Sequence, residues 1–158
     1  PLQKTKEIYK QKSKFSEKEL KEFSILFLII NNLDIFRSNI ESVSEITFSS
    51  NLMNEFKKKL IDYLLSEKFF DRKKLKLEDF DVKFKDIINL INTNAPVKII
   101  TKNKNEKEII MMFTEIISEI KKIDLQKKIE SLENKVSLNL DEKLYSELLS
   151  LRNQLKGG

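Results

Sequence analysis

The chain has 158 residues, 40% hydrophobic and 35% charged, with only two Gly and two Pro; it is long enough for one domain with an appendage and poor in the turn formers that a hairpin-rich β fold needs. It contains neither Cys nor His, which removes disulfides, thiolate metal sites and the commonest general base and metal ligand. The net charge is +5, yet residues 1–14 hold five Lys against one Glu, leaving the remaining residues near neutral, so the expected partner is not nucleic acid.

That basic stretch lacks periodicity and reads as a linker over 1–15. Residue 1 is Pro rather than Met, which suggests a piece of a longer protein. Abundant Ile, Lys, Asn and Phe fit an AT-rich coding bias, so lysine runs alone carry little functional weight. The longest apolar run, Ile25 to Ile30, is far too short to span a membrane, and no signal peptide opens the chain.

In chain order, "SEKELKEFSILFLIINN" begins with Ser16 and Glu19 at capping-box spacing. Leu20, Phe23, Leu26, Phe27 and Ile30 follow at helical intervals, with Ile25, Leu28 and Ile29 on the other sides, so this helix is expected at the centre of a domain. A short helix is expected over Leu33 to Ile40. "FSSNLMNEFKKKLIDYLLSEKFF" starts from a Ser49 or Ser50 cap and places Leu52, Phe56, Leu60, Tyr63 and Leu64 on one stripe; Lys57 to Lys59 read as its solvated side. Residues 71–80 read as a charged loop. Asp81 is placed to cap "VKFKDIINLINTN", whose apolar face is Phe84, Ile87, Ile88 and Ile91. "APVKIITKNKN" stops that helix at Pro96.

Asn105 and Glu108 have cap spacing, and no Gly or Pro interrupts the helical pattern from Glu106 to about Val136, a span of roughly 46 Å. The apolar stripe changes side along this span. Ile109, Phe113, Ile116, Ile120 and Ile123 share one face; Leu125, Ile129, Leu132 and Val136 share another, about 160° away. After the link "SLNL", Asp141 is placed to cap a closing helix with Leu144, Leu148, Leu151 and Leu155 in line, ended by Gly157 and Gly158. The two stripes have matching intervals and fold back as an antiparallel hairpin, pairing Val136 with Leu144, Leu132 with Leu148, Ile129 with Leu151 and Leu125 with Leu155. Such a hairpin is marginal by itself and is expected to lean on the body through the long helix, and on a partner. The fold class is all-α: a bundle over 16–123, its long last helix leading into a hairpin over 124–158.

The closing helix carries a second row, Tyr145 and Leu149 beside Arg152 and Lys156. Scattered surface apolars are normal; an aromatic, a Leu and an Arg together are also the makings of an interface hot spot.

The apolar pattern of "KEFSILFLIINNLDIFRSNIESVSEITFSSNLMNEFKKKLIDYLL" and of the terminal "DEKLYSELLSLRNQLKGG" resembles the C-terminal, helicase-binding domain of bacterial DnaG-type DNA primases. The likeness covers nearly all of 16–156. It departs at Asn31-Asn32-Leu33, where the family often has Asn-His-Pro. The resemblance implies a helical bundle with a C-terminal hairpin that docks on the N-terminal domains of the hexameric, DnaB-type replicative helicase in the bacterial cytoplasm. It implies docking residues Tyr145, Leu148, Leu149, Arg152, Asn153 and Lys156, with Leu148 also assignable to the seam. It implies that polymerisation, zinc and magnesium belong to upstream domains, so this part is non-enzymatic and cofactor-free, with Lys4 to Lys14 as tether; a monomer or a weak swapped dimer is expected. The rival expectations are the helicase's own N-terminal domain, which shares the bundle fold, and a coiled-coil dimer, disfavoured by the change of stripe. A metal enzyme using Glu78, Asp79 and Asp81 is disfavoured because no helix or strand spacing converges them.

Overall fold

A computed structural model describes residues 14–67, 80–95, 103–138 and 141–157. Among these the chain forms seven helices and no strand, an all-α fold: α1 (Glu17–Asn31), α2 (Leu33–Ser38), α3 (Ile40–Ser44), α4 (Asn51–Leu65), α5 (Lys83–Asn94), α6 (Glu106–Leu138) and α7 (Glu142–Gly157). The expected linker over 1–15 up to residue 13, the loop at 71–79, residues 96–102 and part of "SLNL" lie outside the described residues. No described helix is long and apolar enough to cross a membrane.

The chain divides into two compact units, Pro1–Phe113 and Thr114–Gly158. The division falls earlier than the expected one after Ile123. α6 runs unbroken through both positions, so the change of apolar stripe at Asp124 does not coincide with the end of the first unit.

In the first unit, α1 is the central helix. Ser16 and Glu19 form the full capping box: the Glu19 N–H donates to Ser16 Oγ (3.1 Å) and the Ser16 N–H to Glu19 Oε1 (3.3 Å). Every residue from Glu22 to Ile29 is buried, as an all-round apolar helix demands. Its C-terminal carbonyls are capped by side-chain amides, Asn31 donating to Phe27 O (2.8 Å) and Asn32 to Leu28 O (2.9 Å). The Asn-Asn-Leu turn thus closes one helix and opens the next without a proline.

The short helix expected over Leu33 to Ile40 is two helices, broken at Asn39. Asn39 departs from helical dihedrals (φ −121°, ψ 35°) and its amide donates to Ile35 O (2.8 Å). α4 begins at Ser50, whose Oγ accepts from the Met53 N–H (3.1 Å). Its buried stripe is Met53, Phe56, Leu60, Tyr63 and Leu64, and Leu52 is 37% exposed, contrary to the expected stripe. At 100° per residue, Met53 lies roughly 35° from the centre of that stripe and Leu52 roughly 65° on its other side.

α5 begins without a side-chain cap: Val82 holds the cap position, and the Asp81 backbone carbonyl, rather than its carboxylate, accepts from the Phe84 N–H (2.9 Å). Phe84, Ile87, Ile88 and Ile91 are its buried face. Phe56, Tyr63, Phe80 and Phe84 form an aromatic cluster with ring centroids 5.5–6.4 Å apart, spacings at which edge and offset contacts add to burial. At the start of α6, Asn105 Oδ1 accepts from the Glu108 N–H (2.8 Å). Ile109 and Phe113 are buried, the Phe113 ring 4.9 Å from Phe36.

In the second unit, α6 and α7 fold back on each other. Ile129, Leu132 and Leu148 form a buried cluster, with Leu125, Val136, Leu144, Leu151 and Leu155 packed against it. Of the first stripe, Ile116 is buried and Ile120 and Ile123 are half-buried. The Asp141 carboxylate accepts from the Lys143 N–H (2.9 Å) and its carbonyl from the Tyr145 N–H (3.0 Å), starting α7. Gly157 is the last described helical residue and has no positive φ, so it is not a left-handed stop after the helix, and Gly158 lies outside the described residues.

Candidate functional site

α7 carries two stripes with identical intervals of four, three and four residues. Leu144, Leu148, Leu151 and Leu155 form the first, inside the hairpin. Tyr145, Leu149, Arg152 and Lys156 form the second, offset by one residue and therefore turned by about 100°. A single partner helix covers one such stripe, which leaves the other on the surface. Tyr145 is 51% exposed and Leu149 43%, one turn apart, followed by two cations.

The docking set implied by the family resemblance therefore separates. Tyr145, Leu149, Arg152, Asn153 and Lys156 are exposed. Leu148 is 2% exposed and sits in the hairpin core, so its side chain belongs to the seam and is not available for docking. Arg152 Nη2 donates to Glu133 Oε1 across the hairpin at 2.7 Å, both side chains remaining partly exposed. Next to this pair runs an open groove of about 300 Å³ with Ile129 and Leu155 at its base, Gln126, Glu130 and Glu133 along α6, and Arg152 and Lys156 along α7. A smaller hollow of about 200 Å³ on Leu155 is bordered by Ser118, Lys121, Lys122, Leu125 and Gln154. The groove is a surface of mixed charge interrupted by the apolar side chains of Ile129 and Leu155.

Three anchors escaped sequence reasoning. Glu22, in the middle of the apolar helix α1, is 1% exposed; its Oε2 accepts from the Ser49 N–H (2.6 Å) and its Oε1 has no protein partner. Asn54 brackets Phe48, its Oδ1 accepting from the Phe48 N–H (2.8 Å) and its Nδ2 donating to Phe48 O (3.0 Å). Lys57 donates to Ser44 O (3.1 Å) and Ile46 O (2.6 Å), which corrects its assignment to a solvated lysine run; Lys58 and Lys59 are exposed. Together the three satisfy the backbone of the α3–α4 connection and seat the buried Phe48 side chain. A lone Glu amid a hydrophobic helix face was the one available signal.

Of the acidic trio, Glu78 and Asp79 lie outside the described residues and Asp81 is exposed. Among the described residues no cluster of acidic side chains is arranged to hold a metal. On the surface of the first unit, Lys83 Nζ pairs with Glu55 Oε2 at 2.9 Å. The hydrogen bond and charge of Lys83 hold the Glu55 carboxyl below its ordinary value, and Glu55 raises Lys83 in the same way.

No family model, curated protein or solved structure matches the chain.

Proposed function

We propose that this chain is the helicase-docking domain of a bacterial DnaG-type primase. It holds the N-terminal domains of the hexameric replicative helicase through the outer stripe of α7, recruiting primase to the fork and stimulating the helicase. The observation that carries the proposal is the pair of stripes on α7: one is spent on the hairpin, and the other keeps an aromatic and a leucine in water beside an arginine. Truncating such residues is costly mainly where a partner covers them. The resemblance in apolar pattern over 16–156 supplies the partner's identity. On this proposal the chain is non-catalytic, and primer synthesis, zinc and magnesium reside in upstream domains of a cytoplasmic DNA-directed RNA polymerase.

The test is the double variant Tyr145→Ala with Leu149→Ala. It is expected to abolish helicase binding with the melting temperature nearly unchanged, because about half of each side chain already lies in water. Retained binding would remove α7's outer stripe from the interface and sink the proposal in this form. A collapse in melting temperature would show instead that the pair is structural.

A further inference from the structure

Arg152, in the outer stripe, is held by the other helix. Its guanidinium donates to Glu133 of α6 at 2.7 Å, with side-chain exposures of 44% and 42%. An exposed pair of this kind adds little to folding stability, so stability is a weak reason for it. An arginine free in water loses much of its rotamer freedom on docking, which weakens binding. One already anchored by a carboxylate loses less, and its remaining N–H donors stay uncommitted to Glu133. The anchor stands at the groove edge, beside Lys156 and over the apolar base of Ile129 and Leu155.

We infer that Glu133 is a positioning residue for docking: it holds Arg152 in its binding orientation, so the interface rests on α6 as well as on α7. This inference rests on the proposed helicase-docking function. By charge complementarity, the partner segment places apolar side chains against Tyr145 and Leu149 and a carboxylate against Arg152, two turns beyond Tyr145.

The experiment is calorimetric titration of the chain into the intact replicative helicase of the same organism, with a thermal melt of each variant. Glu133→Gln is expected to weaken binding about three- to tenfold, and Arg152→Ala at least as much, both melting close to wild type. The charge swap, Glu133→Arg with Arg152→Glu, keeps an ion pair across the hairpin but moves the cation to α6. It is expected to melt like wild type and to bind as weakly as Arg152→Ala. A purely structural pair would predict full binding by the swap, and that result would overturn the inference. So would Glu133→Gln binding as tightly as wild type or tighter, or Arg152→Ala binding unchanged. If the wild-type chain itself fails to bind, the docking function falls and takes this inference with it; wild-type binding with an indifferent Glu133 removes the inference alone.

Discussion

Leu148→Ala and Tyr145→Ala are neighbouring truncations on one helix with opposite expected consequences. Leu148 is 2% exposed within the hairpin cluster, whereas Tyr145 is 51% exposed. Truncating Leu148 removes about three methylene equivalents at about 0.8 kcal/mol each, and the unfilled space raises the loss to about 3 kcal/mol. Tyr145→Ala removes a side chain with half its surface in water and should cost less than about 1 kcal/mol. A global melt can miss the opening of one small unit, so the suitable assay is native-state hydrogen exchange resolved along the chain. At 1.4 kcal/mol per factor of ten, about 3 kcal/mol speeds exchange of the α7 amides roughly 100-fold, or to the unprotected rate if the hairpin holds less than that. The α1 amides, in the other unit, should be unaffected. Unchanged α7 exchange in Leu148→Ala, or equal acceleration in Tyr145→Ala, would refute the division of α7 into an inner and an outer stripe.

Other expectations concern the first unit. Glu22→Ala leaves the Ser49 N–H without its carboxylate acceptor and should lower stability by about 1.5–3 kcal/mol in urea unfolding, whereas Glu22→Gln, which still offers a carbonyl, should stay within about 1 kcal/mol of wild type. Lys57→Met should cost about 1 kcal/mol through the orphaned Ser44 and Ile46 carbonyls, against less than about 0.5 kcal/mol for the exposed Lys59→Met; equal values would return Lys57 to the solvated face. The Glu55–Lys83 pair sets a pH signature. Glu55 is held below its ordinary 4.5, so its contribution is present above 4.5 and fades as pH falls through the lowered value. Lys83 is held above its ordinary 10.5, so its contribution is full below 10.5 and fades as pH rises through the raised value. The melting temperatures of wild type and Glu55→Gln should therefore converge in acid well below pH 4.5 and differ, slightly, at neutrality; a difference that grows in acid would contradict the pairing.

The helices and the hairpin seam were legible because both are periodic. Ser16 with Glu19, Ser50, Asn105 and Asp141 announce helix starts, and the eight seam residues repeat at matching intervals. What escaped was geometry that periodicity does not encode. Leu52 and Met53 are adjacent apolar residues, and a shift of a few tens of degrees decides which is buried. Asp81 has cap-like chemistry, but the first turn closes on its carbonyl. Glu22 reaches a backbone amide 27 positions away, a partner no local pattern reveals. Leu148 was ambiguous because its register puts it in the seam while the family resemblance also counts it among the docking residues, and only the packing against Ile129 and Leu132 assigns it. The pairing of Arg152 with Glu133 depended on the hairpin's register and was likewise invisible in either helix alone.

The measurement that tests helicase docking most directly is calorimetric titration of this chain into the replicative helicase of its own organism, alongside the same helicase lacking its N-terminal domain. Saturable binding to the intact helicase and none to the truncated one is expected. Equal binding to both, or to neither, would contradict it.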